Sequence, residues 1–256
     1  MIANYHTHTW RCNHASGTEV DYIEHALRNG LKILGFSDHS PYIFPEGYYS
    51  HFRMGPQQLP GYVRTLTQLR EQYQDQLKIY IGLETEYYPK YFPDLMAYLR
   101  EYPLEYMILG QHYLGNEIHD FYSGEKTDDE SLLTRYCYQC MEAMNTGVFT
   151  YLAHPDLFHF VGDKKFYQEA MRSLCREANS CQMPLELNLL GMAEKRHYPN
   201  PKFWEIAAEE NCHVILGRDA HDPRAFDNEK AEKKALKMVK KLGLELLDAI
   251  PLRPIG

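Results

Sequence analysis

Short apolar runs rich in β-branched and aromatic residues alternate along the whole chain with longer stretches whose apolar positions recur every three to four residues. The first pattern is that of a strand covered on both faces, and the second that of a helix with one covered stripe. Strands are expected at 2–6, 33–37, 79–83, 106–110, 149–153, 185–189 and 214–217. Helices are expected near 18–29, 57–76, 91–101, 129–145, 163–181, 201–210 and 228–241, with Gly30, Gly147 and Asn211 as stop signals. Seven strand-helix units in succession predict an α/β fold around a parallel sheet. No Gly-, Ser- or Pro-rich linker interrupts the 256 residues, a length that one barrel domain spanning 1–256 can fill. Two loops, 40–55 and 114–129, exceed what such connections need and are candidate lids or binding segments.

Composition narrows the class. With 44% hydrophobic and 24% charged residues the chain reads as soluble and globular, and no apolar stretch is long enough to cross a bilayer. The first strand begins almost at Met1, leaving no room for a secretory leader, so a cytoplasmic protein is expected. A net charge of −8 disfavours a nucleic-acid partner. The six cysteines are too sparse for a disulfide framework, and Cys137 and Cys140, a C-x-x-C pair within a helical stretch, are expected to be buried thiols.

Candidate chemistry collects where the strands end. His6 and His8, with His14 shortly after, follow the first; His39 follows the second, Glu84 the third, His112 the fourth, His154 the fifth, and Asp219 and His221 the seventh. In a parallel barrel all these ends open at one face. Residues two apart on an extended segment share a face, so His6 and His8 can converge on one ion. Seven imidazoles and two carboxylates are too many donors for a single catalytic ion, which takes three or four. If Glu84 bridges, they suit three divalent ions, of zinc, manganese or iron. Such a centre is strongly cationic and favours a phosphate.

In this order and spacing, the segments HTHT, NH at 13–14, GFSDHS, GLETEY, GQHYL, LAHPDL and GRDAH resemble those of the polymerase and histidinol phosphatase (PHP) superfamily of metal-dependent phosphoesterases. The resemblance implies a distorted, TIM-like (β/α)7 barrel with a trinuclear site. By it, His6, His8, Glu84 and Asp219 would hold one ion; Glu84, His112 and His154 a second; and His14, His39 and His221 a third. A metal-bridging hydroxide would attack phosphorus. Glu84, Asp219, His221 and His197 are the candidate catalytic groups, and Asp38 is a candidate to orient an imidazole.

Arg196 and His197, in the loop after the sixth strand, and then Arg11, are the candidate substrate-binding groups; Arg53 and Arg218 are further cations that could face a phosphate. Tyrosines crowd the strand-end loops and could wall the pocket. The resemblance implies hydrolysis of a small phosphate monoester, histidinol phosphate foremost, as in histidine biosynthesis. A phosphoesterase acting on nucleotides or oligonucleotides, and a non-catalytic regulatory barrel that keeps metal for structure, are the competing readings.

Overall fold

A computed structural model describes residues 1–45 and 47–255; Glu46, in the first long loop, and Gly256 lie outside the described residues. Eight parallel strands form one sheet in sequential order: β1 (Ala3–Asn4), β2 (Ile33–His39), β3 (Lys78–Thr85), β4 (Tyr106–Leu109), β5 (Phe149–Leu152), β6 (Leu185–Asn188), β7 (His213–Gly217) and β8 (Glu245–Leu246). The helices between them are α1 (Glu19–Arg28), α2 (Leu59–Tyr73), α3 (Phe92–Leu99), α4 (Glu130–Asn145), α5 (Lys164–Ser180), α6 (Leu189–Glu194), α7 (Pro201–Glu209) and α8 (Glu229–Leu242).

The seven expected strands and seven expected helices are present, and the stop signals act as anticipated: Gly30, Gly147 and Asn211 all take positive φ. One strand and one α-helix were not anticipated. The strand β8 is two residues long and pairs with the start of β7, too short to leave a periodic signal. The helix α6 directly continues β6, with the Asn188 side chain accepting from the Gly191 amide as its cap. At the other end of β7, Thr7 and Ala220 form a parallel bridge in which the His8 amide donates to the Ala220 carbonyl and the Ala220 amide to that of His6. The first and seventh strands thus meet at the mouth, while β8 lines the opposite end of β7. That offset is the distortion of the barrel.

The two-residue alternation of each strand sorts side chains into two cores. Leu34, Phe36, Ile79, Ile81, Leu83, Met107, Leu109, Leu152, Leu185, Leu187, Val214 and Leu216 pack outward against the helices. Ala3, Tyr5, Tyr106, Ile108, Tyr151, Ala153 and Ile215 fill the interior. Tyr106 spans the barrel, its hydroxyl reaching the Tyr5 and Phe36 carbonyls at 2.7 and 3.1 Å. Continuing the inward register toward the C-terminal ends brings Glu84 on β3 and Glu186 and Asn188 on β6 above this floor. The same chain geometry that packs the base therefore delivers polar groups to the mouth.

The six cysteines are free, and Cys137 and Cys140 are buried on α4. Among the described residues no helix is long and apolar enough to cross a membrane.

Candidate metal centre

Glu84 stands at the middle of the mouth, almost completely buried. Its Oε1 lies 2.8 Å from His154 Nε2 and 3.6 Å from His112 Nε2. Its Oε2 lies 3.4 Å from His6 Nε2, 3.5 Å from His8 Nε2 and 3.2 Å from His39 Nδ1. Asp219 Oδ1 faces His6 Nε2, His8 Nε2 and His221 Nδ1 at 3.4, 3.2 and 3.3 Å. His14, at the exposed rim, is stacked on His221 with 4.6 Å between ring centroids and lies 5.4 Å from His39. Seven imidazoles and two carboxylates from six strand ends thus occupy one cluster.

Within it, His6, His8 and Asp219; His6, Glu84 and His154; His8, His39 and Glu84; and His14, His39 and His221 each offer donor atoms within 4.8 Å of one another, a spacing that could hold an ion. His6 Nε2, His8 Nε2 and His221 Nε2 are buried without a hydrogen-bond partner. Buried nitrogens left unpaired are costly, and divalent cations would satisfy them, so the donor set fits the metals that the sequence implies.

The electrostatics agree with a centre arranged for cations. Burial pushes the Glu84 carboxyl up, but the imidazoles of His6, His112 and His39 and the hydrogen bond from His154 hold it well below the usual range. Asp219 is likewise held low against burial, by His6, His8 and His221. Burial drives His39 and His221 well below the ordinary imidazole value, while the surrounding carboxylates raise His6, His8 and His112 against burial, so that cations binding there would displace protons.

A further set of groups orients the ring nitrogens that face away from the cluster. His6 Nδ1 lies 2.8 Å from Glu186 Oε1, and His112 Nδ1 lies 2.8 Å from Glu86 Oε1. Asp38 Oδ1 is 3.5 Å from His8 Nδ1 and accepts from the His39 amide at 2.9 Å, while Oδ2 takes the Thr9 amide. Asp38 therefore serves the turn, while its Oδ1 stands near His8 Nδ1 without hydrogen-bonding to it. Glu186 Oε2 accepts from the His154 amide and, with Asp219 Oδ2, from the Asn188 side chain. The backbone at His154 and Asp219 takes φ of 29° and 49°, a region that non-glycine residues occupy at a cost of order 1–3 kcal/mol and that concentrates at functional sites. Gly110 and Gly217 lack side chains for a steric reason: a Cβ at either would overlap the carboxylates of Glu84 and Glu186 respectively.

Glu186, Asn188 and Glu86 were missed in the sequence. The sixth strand places no residue among the candidate ligands and instead supports three of them, His6, His154 and Asp219. The signal was present in LELN, where polar residues alternate with leucines inside a buried strand.

Beside the cluster opens a cavity of about 400 Å³, walled by Phe52, Tyr113, Tyr122, Leu157, Tyr198 and Arg196. The Arg196 guanidinium donates to Glu194 Oε2 and the Tyr198 hydroxyl, each at 2.8 Å. Arg11, His197, Arg218 and Arg53 do not line this cavity. Arg11 is buried, paired with Glu19 and placed over the Trp10 ring, so its charge is spent inside the first loop. His197 donates from Nε2 to the Leu157 carbonyl at 2.6 Å and stacks on His159 at 4.0 Å; it stands behind the wall, not in it. Arg218 turns outward to Glu232, and Arg53 is enclosed by Glu86 and Glu117. Of the tyrosines near the strand ends, Tyr5 fills the barrel interior and Tyr42 and Tyr88 are buried packing groups.

The PHP domain family model matches residues 4–189, a span that ends before Asp219 and His221. A probable histidinol-phosphatase of Deinococcus radiodurans is 29% identical over 87% of this chain and 87% of its own. One from Schizosaccharomyces pombe is 26% identical over 87% and 81%. Among solved structures, the histidinol phosphate phosphatase of Lactococcus lactis, complexed with zinc, L-histidinol and phosphate, superposes with a TM-score of 0.76 at 20% identity, covering 97% and 96% of the two chains.

Proposed function

This chain belongs to the PHP domain family, and from that premise we propose that it is a metal-dependent phosphoric monoester hydrolase acting on histidinol phosphate. The observation that carries the reading is the single cluster of seven imidazoles and two carboxylates, buried at its centre and exposed at His14, with unpaired nitrogens beside a cavity sized for a small molecule.

Three divalent ions would be held as the family resemblance implies: one by His6, His8, Glu84 and Asp219, a second by Glu84, His112 and His154, a third by His14, His39 and His221. Bound there, they supply Lewis acidity toward phosphoryl oxygens and acidify water. Glu84 contributes both of its oxygens, each facing a different subset of imidazoles, and so ties the sites together. Asp219 and His221 complete the wall against which the phosphate rests. Arg196 presents a planar fork suited to phosphate oxygens and would exchange its contact with Glu194 for the substrate. Phe52, Tyr113 and Tyr122 provide aromatic faces for the imidazole of the alcohol portion.

Phosphate release from a panel of histidinol phosphate, an aryl phosphate, nucleotides and a phosphodiester tests the reading. Selective, chelator-sensitive turnover of histidinol phosphate is the expected result. Preferential cleavage of the diester or of nucleotides would move the assignment elsewhere within the family.

A further inference from the structure

Arg53 is the most enclosed cation near the centre, with only 2% of its side chain exposed. Its donors are committed in three directions. Nη1 donates to the Ser40 carbonyl at 2.8 Å, Nε to Glu117 Oε2 at 2.8 Å, and Nη2 pairs with Glu86 Oε2 at 3.0 Å and with Glu117.

Each partner leads to a different part of the site. Ser40 directly follows His39. Glu86 holds Arg53 with one oxygen and His112 Nδ1 with the other. Glu117 belongs to the 114–129 loop and also accepts from the Tyr48 hydroxyl at 3.2 Å. Phe52, the residue before Arg53, meets His39 edge-on with centroids 5.5 Å apart and stacks on Tyr113 at 5.6 Å. One guanidinium therefore connects both long loops to two imidazoles whose centroids are 5.2 Å apart.

We infer that Arg53 is a positioning residue for the metal centre: by clamping Glu86 and the Ser40 carbonyl, it sets the orientation of His112 and His39 and couples them to the placement of the two long loops. This rests on the metal-centre reading and is independent of the substrate. The chemistry requires Arg. Its flat fork meets groups in three directions, whereas a lysine ammonium at the same place could neutralise charge but could not hold all three. A carboxylate that orients a ligating imidazole typically contributes ten- to a hundredfold in metal affinity or activity, so a group that fixes this carboxylate acts on the same quantity.

The test uses the metal-loaded protein, Arg53→Lys, and the double variant Arg53→Met/Glu117→Gln, which removes a buried negative charge along with the positive one so that the fold survives. Each is dialysed against graded chelator well below its melting temperature. Retained metal per chain is measured by elemental analysis, with kcat and KM followed in parallel. Both variants are expected to melt cooperatively, to lose metal at about tenfold lower chelator and to lose about tenfold or more in kcat. Wild-type metal retention in either folded variant overturns the inference, and failure of both to fold overturns it too, because Arg53 would then act on stability alone. A wild-type protein that holds no metal sinks the metal-centre reading instead.

Discussion

His6 Nδ1 lies 2.8 Å from Glu186 Oε1, and this contact inside the barrel fixes which nitrogen the ring turns toward Glu84 and Asp219. The carboxylate is itself seated by the absence of a side chain at Gly217. Glu186→Gln keeps the shape and removes the charge, and is expected to lower metal affinity about ten- to a hundredfold with little change in secondary structure. Chelator titration of the folded variant checks it. Gly217→Ala forces the carboxylate aside and is expected to cost about 1–3 kcal/mol in stability along with activity, read from denaturant unfolding.

Glu84 faces five imidazoles. Glu84→Ala is expected to abolish turnover and reduce bound metal, while Glu84→Asp, which shortens the reach, retains part of the metal and little activity. Full metal content with full activity in the alanine variant would remove the bridging role.

Arg196 and Arg11, both candidate phosphate-facing cations by sequence, separate in the structure. Arg196→Ala is expected to lower kcat/KM by about tenfold or more, the loss of one charge-assisted contact of about 1.5–3 kcal/mol, with metal content unchanged. Arg11→Ala leaves Glu19 buried without its partner and is expected to lower the melting temperature while KM stays at the wild-type value. A rise in KM for Arg11→Ala would return it to the site.

Metal bound to the native state alone stabilises it by mass action. Stripping the ions with chelator is expected to lower the melting temperature by on the order of 5 °C or more, and to abolish phosphate release. Re-addition of zinc, manganese or iron one at a time identifies which restores both. An unchanged melting curve would contradict tight binding.

Much of this arrangement was legible in the chain because two periodicities coincide with it. Alternating apolar strands and amphipathic helices announce the parallel barrel, and residues placed at the ends of six strands announce the cluster. The groups that orient the ligands were harder to read. Glu186 and Glu86 lie within or immediately after strands, where a carboxylate looks like an interruption of the core until its imidazole partner, 180 residues away in the case of Glu186, is brought beside it. Arg11 and Arg53 were misplaced for the converse reason: a cation in a strand-end loop can face inward to a carboxylate as readily as outward to substrate, and only the fold decides between Glu19, Glu86 and a phosphate. The strand β8 and helix α6 are too short for either periodicity to register.

The most direct measurement is a crystal structure of the protein purified with its metals, with anomalous scattering recorded at the absorption edges of zinc, manganese and iron. Three peaks are expected at the mouth of the barrel: one among His6, His8, Glu84 and Asp219, one among Glu84, His112 and His154, and one among His14, His39 and His221. An active enzyme with no peak in this cluster, or with its ions bound elsewhere, would contradict that placement.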